Sequence, residues 1–208
     1  MKLENLNIDA NHLPVLETFY SLQGEGLHTG LASFFIRLGG CDLSCWFCDS
    51  KETWNPDINN LTTPFELLEK AMIYDTKHIV LTGGEPILYP LDQLINLFHA
   101  YDYYIHLETA ATAQWINNID WICVSPKNHS YINDEWLKKA NELKVIISDL
   151  EDLVFAEECS KSVSDECYLF LQPEWSKSKK ILPEIIKYIF NNSKWRLSIQ
   201  THKYLNLR

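Results

Sequence analysis

Seven apolar runs of strand type, several with little alternation of apolar and polar positions, constrain this chain more than any other feature. They are ASFFIRL (32–38), HIVLT (78–82), YYIHLE (103–108), WICVS (121–125), LKVIIS (143–148), CYLFLQ (167–172) and WRLSIQ (195–200). Strands apolar on both sides must be covered on both faces, as in parallel sheets with crossover helices. Helical segments do lie between several of the runs. The clearest, TTPFELLEKAMI, opens with Thr63 as cap, Pro64 in the first turn and Glu66 completing a capping box. Leu67, Leu68, Ala71 and Met72 then supply its apolar face. A second helix is expected after Pro90 through LDQLINLFHA, and a third within DLEDLVFAEECSKSV. A fourth is expected through ILPEIIKYIFNN after Lys180, with Pro183 in its first turn. The expected class is α/β, with βα repeated about six times after a polar N-terminal piece holding a short strand around VLETFYS. There is no internal repeat and no separating linker, and 208 residues suit one core, so 1–208 reads as a single domain.

In such folds working residues gather at the C-terminal ends of the strands. Here those ends read LTGGEP, LETAAT, VSPKN, LQPE and IQTHK, all polar or glycine-bearing and all on one expected rim. The formal net charge of −10 argues against phosphate-neutralising nucleic-acid binding and favours small-molecule partners. The opening MKLENLNIDANHLP has no apolar leader core, and no run approaches the ~18 apolar residues of a membrane span. The cytoplasm is therefore the expected compartment, where close cysteines serve as metal ligands or redox centres.

Cys41, Cys45 and Cys48 sit within GGCDLSCWFCDS, at gaps of three and two residues. Structural zinc normally takes four protein ligands, and no further cysteine or histidine follows Cys48 at the expected spacing. A dithiol redox centre would use Cys45 and Cys48 and leave Cys41 idle. A four-iron cluster makes use of three thiolates by leaving one iron open. Trp46 and Phe47 are expected to keep water from such a cluster. Cys123, Cys159 and Cys167 share no spacing and read as core cysteines.

The C-x3-C-x2-C spacing, with an aromatic before the last cysteine and GGEP closing the next strand, resembles the radical S-adenosylmethionine (SAM) superfamily. The resemblance implies a modified, incomplete (β/α)6 radical SAM barrel with short N- and C-terminal extensions. It also implies a 4Fe-4S cluster on Cys41, Cys45 and Cys48, with SAM on the open iron and Gly83, Gly84 and Glu85 beside its methionine part. FYSLQGEG, FFIRLGGCDLSCWFCDS, VSPK and QTHKYLNLR narrow the likeness to the 7-carboxy-7-deazaguanine synthases. That implies hydrogen abstraction from 6-carboxy-5,6,7,8-tetrahydropterin by a 5'-deoxyadenosyl radical, ring contraction and loss of ammonia.

Carried over residue by residue, the likeness places Gln23, Gly24, Glu25, Arg37, His202 and Arg208 at the substrate. It places Glu108, Ser125, Lys127 and Gln172 along SAM, and Ser50 on Mg2+, with Asp49 in a supporting role. Arg37 is also marked by its setting, since a charge inside FFIRLGG needs a ligand or a partner. Two departures stand out: Ser50 replaces the family's threonine, and Ala111 replaces the glycine expected after ET-x. The family further implies an external electron donor such as flavodoxin or ferredoxin, and a homodimer. Competing readings are a glycyl-radical activating enzyme, which has no use for LQGEG, and a zinc-stabilised RNA module, which needs a basic face.

Overall fold

The structure, a computed structural model, describes residues 9–208. Met1–Ile8, the first part of the opening segment discussed above, lie outside the described residues. Eight strands form one sheet in chain order. Strand β1 (Val15–Leu22) runs antiparallel to β2 (Ala32–Leu38). The rest continue parallel from β2: β3 (His78–Gly83), β4 (Tyr104–Thr109), β5 (Trp121–Val124), β6 (Glu142–Ile147), β7 (Tyr168–Pro173) and β8 (Trp195–Leu197). Strands β1 and β8 are the free edges, so the barrel is open.

Crossover helices are α1 (Pro64–Ala71), α2 (Asp92–Ala100), α3 (Asp134–Lys139), α4 (Glu151–Ser160) and α5 (Ser178–Asn191), with α6 (Thr201–Leu205) after the last strand. The β4–β5 connection carries no helix. This is the partial β/α barrel expected from the sequence, with one crossover reduced to a loop.

The two faces of the strands explain where the site lies. Ile36, Leu81, Leu107, Val124, Val145 and Leu171 face outward and pack with Leu68, Phe98, Ala156 and Ile185 of the helices in one core. Their neighbours point the other way. On that inner face stand Arg37, Thr82, Glu108, Lys144 and Gln172, so the barrel interior is a polar cavity rather than packed hydrocarbon.

Three details differ from expectation. Helix α5 begins at Ser178, so Pro183 lies inside it instead of in its first turn. The missing bond falls on the carbonyl of exposed Lys179, which water can satisfy. Strand β8 stops at Leu197, because Ser198 turns to bond Leu171 and Gln172. Helices α3 and α6 were not expected, and α6 forms where the Thr201 N–H and Oγ1 both donate to the Gly24 carbonyl, at 2.9 and 3.0 Å.

Helix α1 has the capping box read from the sequence. Thr63 Oγ1 accepts from the Glu66 amide at 3.2 Å, and the Glu66 carboxylate accepts from the Thr63 amide at 2.7 Å. Thr63→Ala should lower stability by about 1 kcal/mol, read as a shifted urea midpoint at unchanged slope. An unchanged midpoint would show that the box contributes nothing.

Candidate active site

At the C-terminal rim of the sheet opens a cavity of about 820 Å3, and all five polar strand endings contribute to its wall. Cys41, Cys45, Cys48 and Ser50 line it from the loop after β2, Gln23, Gly24 and Glu25 from the loop after β1, and Arg37 from β2 itself. Gly83, Gly84, Glu108, Ser125, Lys127 and Gln172 line it from the parallel strands, and His202 and Arg208 from the C-terminal segment. Of the residues expected at the site, only Glu85 is outside this wall.

The cysteine loop is fixed by backbone bonds. The Gly40 and Cys41 amides donate to Thr53 and Trp54, and the Cys48 amide to Cys45. The end of β3 locks onto the same loop: Gly84 N–H reaches the Leu38 carbonyl at 3.0 Å, and Glu85 N–H the Gly40 carbonyl at 2.9 Å. A Cβ on Gly84 would fall 2.0 Å from the Gly40 oxygen, and one on Gly83, whose φ is +137°, 2.1 Å from the Leu38 oxygen. Both glycines are thus required by packing against the cysteine loop, whatever they present to a ligand.

Glu85 turns its side chain into the protein, accepting from Thr109 Oγ1 at 2.6 Å and the Ala110 amide at 2.7 Å. Burial pushes its carboxyl up to about 7. It ties the cysteine side of the rim to the end of β4, and as a cofactor contact it can offer only its backbone. Ala111, next along that strand, has φ +64° and is fully buried. The bend expected of glycine is therefore made with a Cβ present, a conformation costing about 1 kcal/mol.

All six cysteines are free thiols, and Cys123, Cys159 and Cys167 are buried as expected. The ligand atoms that converge within 4.8 Å of one another lie elsewhere in the protein, so the sulfurs of Cys41, Cys45 and Cys48 are spread wider than a single tetrahedral ion requires. Trp46 is 55% exposed, with its ring edge-to-face on Phe47 and Lys177 over it. It forms the cavity mouth and does not seal the loop from water, contrary to the expectation above.

Lys144 was missed in the sequence. It is 3% exposed, and its ammonium lies 2.7 Å from Glu25 and 2.9 Å from Glu108. The signal was present, because a lysine inside LKVIIS breaks the apolar strand as Arg37 breaks FFIRLGG. Burial would raise the Glu108 carboxyl, but the adjacent Lys144 ammonium holds it well below the usual carboxylate range. Gln23 Nε2 donates to Glu108 at 3.3 Å, and Gln200 Nε2 to Glu25 at 2.8 Å. One lysine thus joins a residue expected at the substrate to one expected at SAM.

On the opposite wall Arg37 Nε donates to Glu17 at 2.8 Å and Nη1 to Ser50 Oγ at 3.2 Å. Glu17 also pairs with Arg208 Nη2 at 2.9 Å, and the Arg208 backbone oxygen accepts from Ser21 Oγ. Asp49 bonds Lys203 at 2.7 Å and Gln200 at 3.1 Å, so it fastens the C-terminal segment to the cysteine loop. The His202 ring lies on Gly24, where a Cβ would come within 2.1 Å of its Nδ1. Lys127 donates to Ser125 Oγ at 2.9 Å, and burial lowers its pKa.

The chain as a whole is similar to known proteins. The model of the radical SAM superfamily matches residues 35–147. A 7-carboxy-7-deazaguanine synthase of Flavobacterium psychrophilum is 45% identical over 94% of this chain and 92% of its own. That of Escherichia coli K12 is 33% identical over 93% of this chain and 98% of its own. The crystal structure of QueE from Escherichia coli superposes with a TM-score of 0.82 at 29% identity, covering 92% of this chain and 95% of that one.

Proposed function

The chain belongs to the radical SAM superfamily and, within it, to the 7-carboxy-7-deazaguanine synthases, and from that membership we propose that it contracts 6-carboxy-5,6,7,8-tetrahydropterin to 7-carboxy-7-deazaguanine with loss of ammonia. It is a carbon–nitrogen lyase of queuosine precursor synthesis. The observation that most supports this reading is the single cavity lined by the three cysteines, Arg37, Glu25 and Glu108 together.

Three free thiols at the mouth of that cavity, spread wider than one ion needs, fit a 4Fe-4S cluster with one iron left open. Glu108, Ser125, Lys127 and Gln172 offer the acceptors and donors that SAM's amino-acid, ribose and adenine parts require. When bound, cluster and SAM supply one-electron chemistry, the removal of a hydrogen atom from an unactivated carbon.

What the chain supplies is placement. Among the described residues the Nη2 edge of Arg37 has no hydrogen-bond partner and suits the substrate carboxylate, while Glu17 holds the guanidinium in place. Glu25, fixed by Lys144 and Gln200, presents carboxylate oxygens to the N–H donors of a pterin edge. The stacked rings of Phe19 and Phe35, 4.8 Å apart, form an apolar wall that limits water. We read the N-terminal loop, barrel and C-terminal segment as one unit, because Gln200, Thr201 and Lys203 bind the loops that carry Glu25, Gly24 and Asp49.

Magnesium is a different case. Ser50 Oγ is engaged by the Arg37 guanidinium, and Asp49 by Lys203. One hydroxyl beside an arginine does not make an octahedral site by itself, so substrate oxygens and water would have to complete the sphere of Mg2+ on Ser50, and no step is assigned to the ion. Electron donor and homodimer rest on family membership. Among the described residues no helix is long and apolar enough to cross a membrane.

The test is anaerobic reconstitution followed by turnover of 6-carboxytetrahydropterin with SAM, reductant and Mg2+, monitored by product mass. About four irons per chain and formation of the deazaguanine are expected. One bound zinc and no SAM binding would sink the reading. In the same assay Arg37→Ala should lower kcat/KM about 50-fold, mainly through KM, at unchanged iron content. Equal loss of iron and turnover would instead make Arg37 a folding residue.

A further inference from the structure

At the end of the barrel opposite the active cavity, three histidines from three separate elements converge. His28 comes from the turn between β1 and β2, His78 opens β3, and His106 lies on β4. Each offers a ring nitrogen within 4.8 Å of those of the other two. Their rings pack edge to face, with centroids 5.2 Å apart for His28 and His78 and 5.3 Å for His28 and His106. Tyr104 stacks on His78, and Trp121 lies against His28, so aromatic rings wall the cluster.

The polar accounting here does not close. His78 and His106 are 8% and 1% exposed, yet Nε2 of each lacks a hydrogen-bond partner. Buried imidazole nitrogens without partners are costly, and His78 Nε2, with no carboxylate behind it and two further imidazoles beside it, calls for an occupant. The remaining contacts are those that orient ligands. His78 Nδ1 is bonded by Ser33 Oγ at 2.9 Å, which leaves Nε2 as its free nitrogen. His106 Nε2 lies 3.3 Å from a Glu108 oxygen, too poorly aligned for a hydrogen bond, while its Nδ1 faces His28 Nδ1 at 3.3 Å. A hydroxyl behind one imidazole and a carboxylate behind another are the supports that metal-binding histidines usually have.

We propose that His28, His78 and His106 bind one borderline divalent transition-metal ion of the zinc, cobalt or nickel class, which fastens the substrate-side loop to the barrel floor. Three imidazoles and no free carboxylate select that class over Mg2+ or Ca2+. His106 also converges with Glu108 and Cys123, but Lys144 already occupies Glu108, so the ion belongs on the histidine side. Because His28 lies three residues beyond Glu25, the ion would hold the LQGEG loop in register with Glu108, which accepts from Gln23. The three histidines are distinct from the cysteine ligands, and metal binding to them can be read without turnover.

The test uses the full chain with Cys41, Cys45 and Cys48 all replaced by alanine, which removes the competing thiolates. Titration with Co2+, followed by visible ligand-field absorption, should show one saturable equivalent displaced by Zn2+. His28→Asn should weaken it about 100-fold or more, and His78→Gln should abolish it. His28 sits in a surface turn, so its variant decides the matter should His78→Gln fail to fold. Zn2+ should also slow amide exchange across residues 26–31 in the parent and not in His28→Asn. No saturable Co2+ binding, or binding undiminished in His28→Asn, overturns the proposal.

Discussion

Replacing Lys144 with methionine is expected to destabilise the protein by about 3–5 kcal/mol and to lower kcat/KM at least about 100-fold. An imbalance of charge is left behind. Methionine fills most of the volume but leaves Glu108 and Glu25 facing each other across 2.7 and 2.9 Å contacts that no longer exist, in a wall where Lys144 itself is 3% exposed. Glu142, two residues earlier on the strand, adds a third carboxyl, which burial raises above its ordinary value.

The sign of the pH dependence follows from Glu108. Its folded-state pKa is depressed, since the lysine outweighs burial, so its contribution is present above the ordinary carboxylate range and lost as pH falls through it. In Lys144→Met burial is opposed only by neighbouring His106, the carboxyl shifts upward, and the variant's deficit should grow as pH rises from 5 to 8. Thermal unfolding of both proteins across that range measures it, with a gap of about 10 °C expected at pH 8. A gap that is absent, or that widens toward pH 5, would remove Lys144 from its assigned place. Lys144→Arg, which keeps the charge, should recover much of the stability and less of the turnover, because a planar fork cannot reach both carboxylates as a compact ammonium does.

Lys144 also marks where sequence reading stops. The strands were legible because their apolar runs are continuous and local, as strands covered on both faces require. Arg37 was legible as a charge that breaks such a run, and its partner Glu17 lies opposite on the paired strand. Lys144 violated its strand equally, but its partners come from residues 25 and 108, and nothing near it in sequence names them. Helix α6 is the same problem in the backbone. Five residues do not form a helix unaided, and its start is anchored on a carbonyl 177 residues away. Helix α3, by contrast, has its own cap, Asn133 accepting from the Glu135 amide, and could have been read from NDEWLKK. Pro183 misled because prolines favour first turns, whereas α5 starts earlier, after a 3-10 turn capped by Glu174. The three histidines are the extreme case, since residues 28, 78 and 106 share no spacing and meet only once the sheet is wound.

Gly84→Ala should abolish turnover, by about 1000-fold or more, and should do so by preventing cluster assembly instead of by weakening substrate. The added carbon meets the Gly40 carbonyl oxygen at 2.0 Å, its carbon at 2.6 Å and Cys41 Cβ at 2.9 Å. Backbone cannot swing aside as a side chain can, so the end of β3 must leave the cysteine loop and break the Glu85-to-Gly40 bond that fixes Cys41. Reconstituted iron per chain should fall to less than about half of the parent's. Two other glycines separate this from a general cost of substitution. At Gly24 the neighbours are the His202 ring and its Cβ at 2.9 Å, so Gly24→Ala must displace the C-terminal segment and should raise KM for the pterin while iron content stays normal. At Gly30, with φ +91° and nothing within 4 Å, alanine meets only backbone strain of about 1 kcal/mol and should leave iron and turnover intact. Full iron loading in Gly84→Ala would mean the cysteine loop holds its shape without β3, and the close approach of the two glycines would then need a reason in the ligand they face.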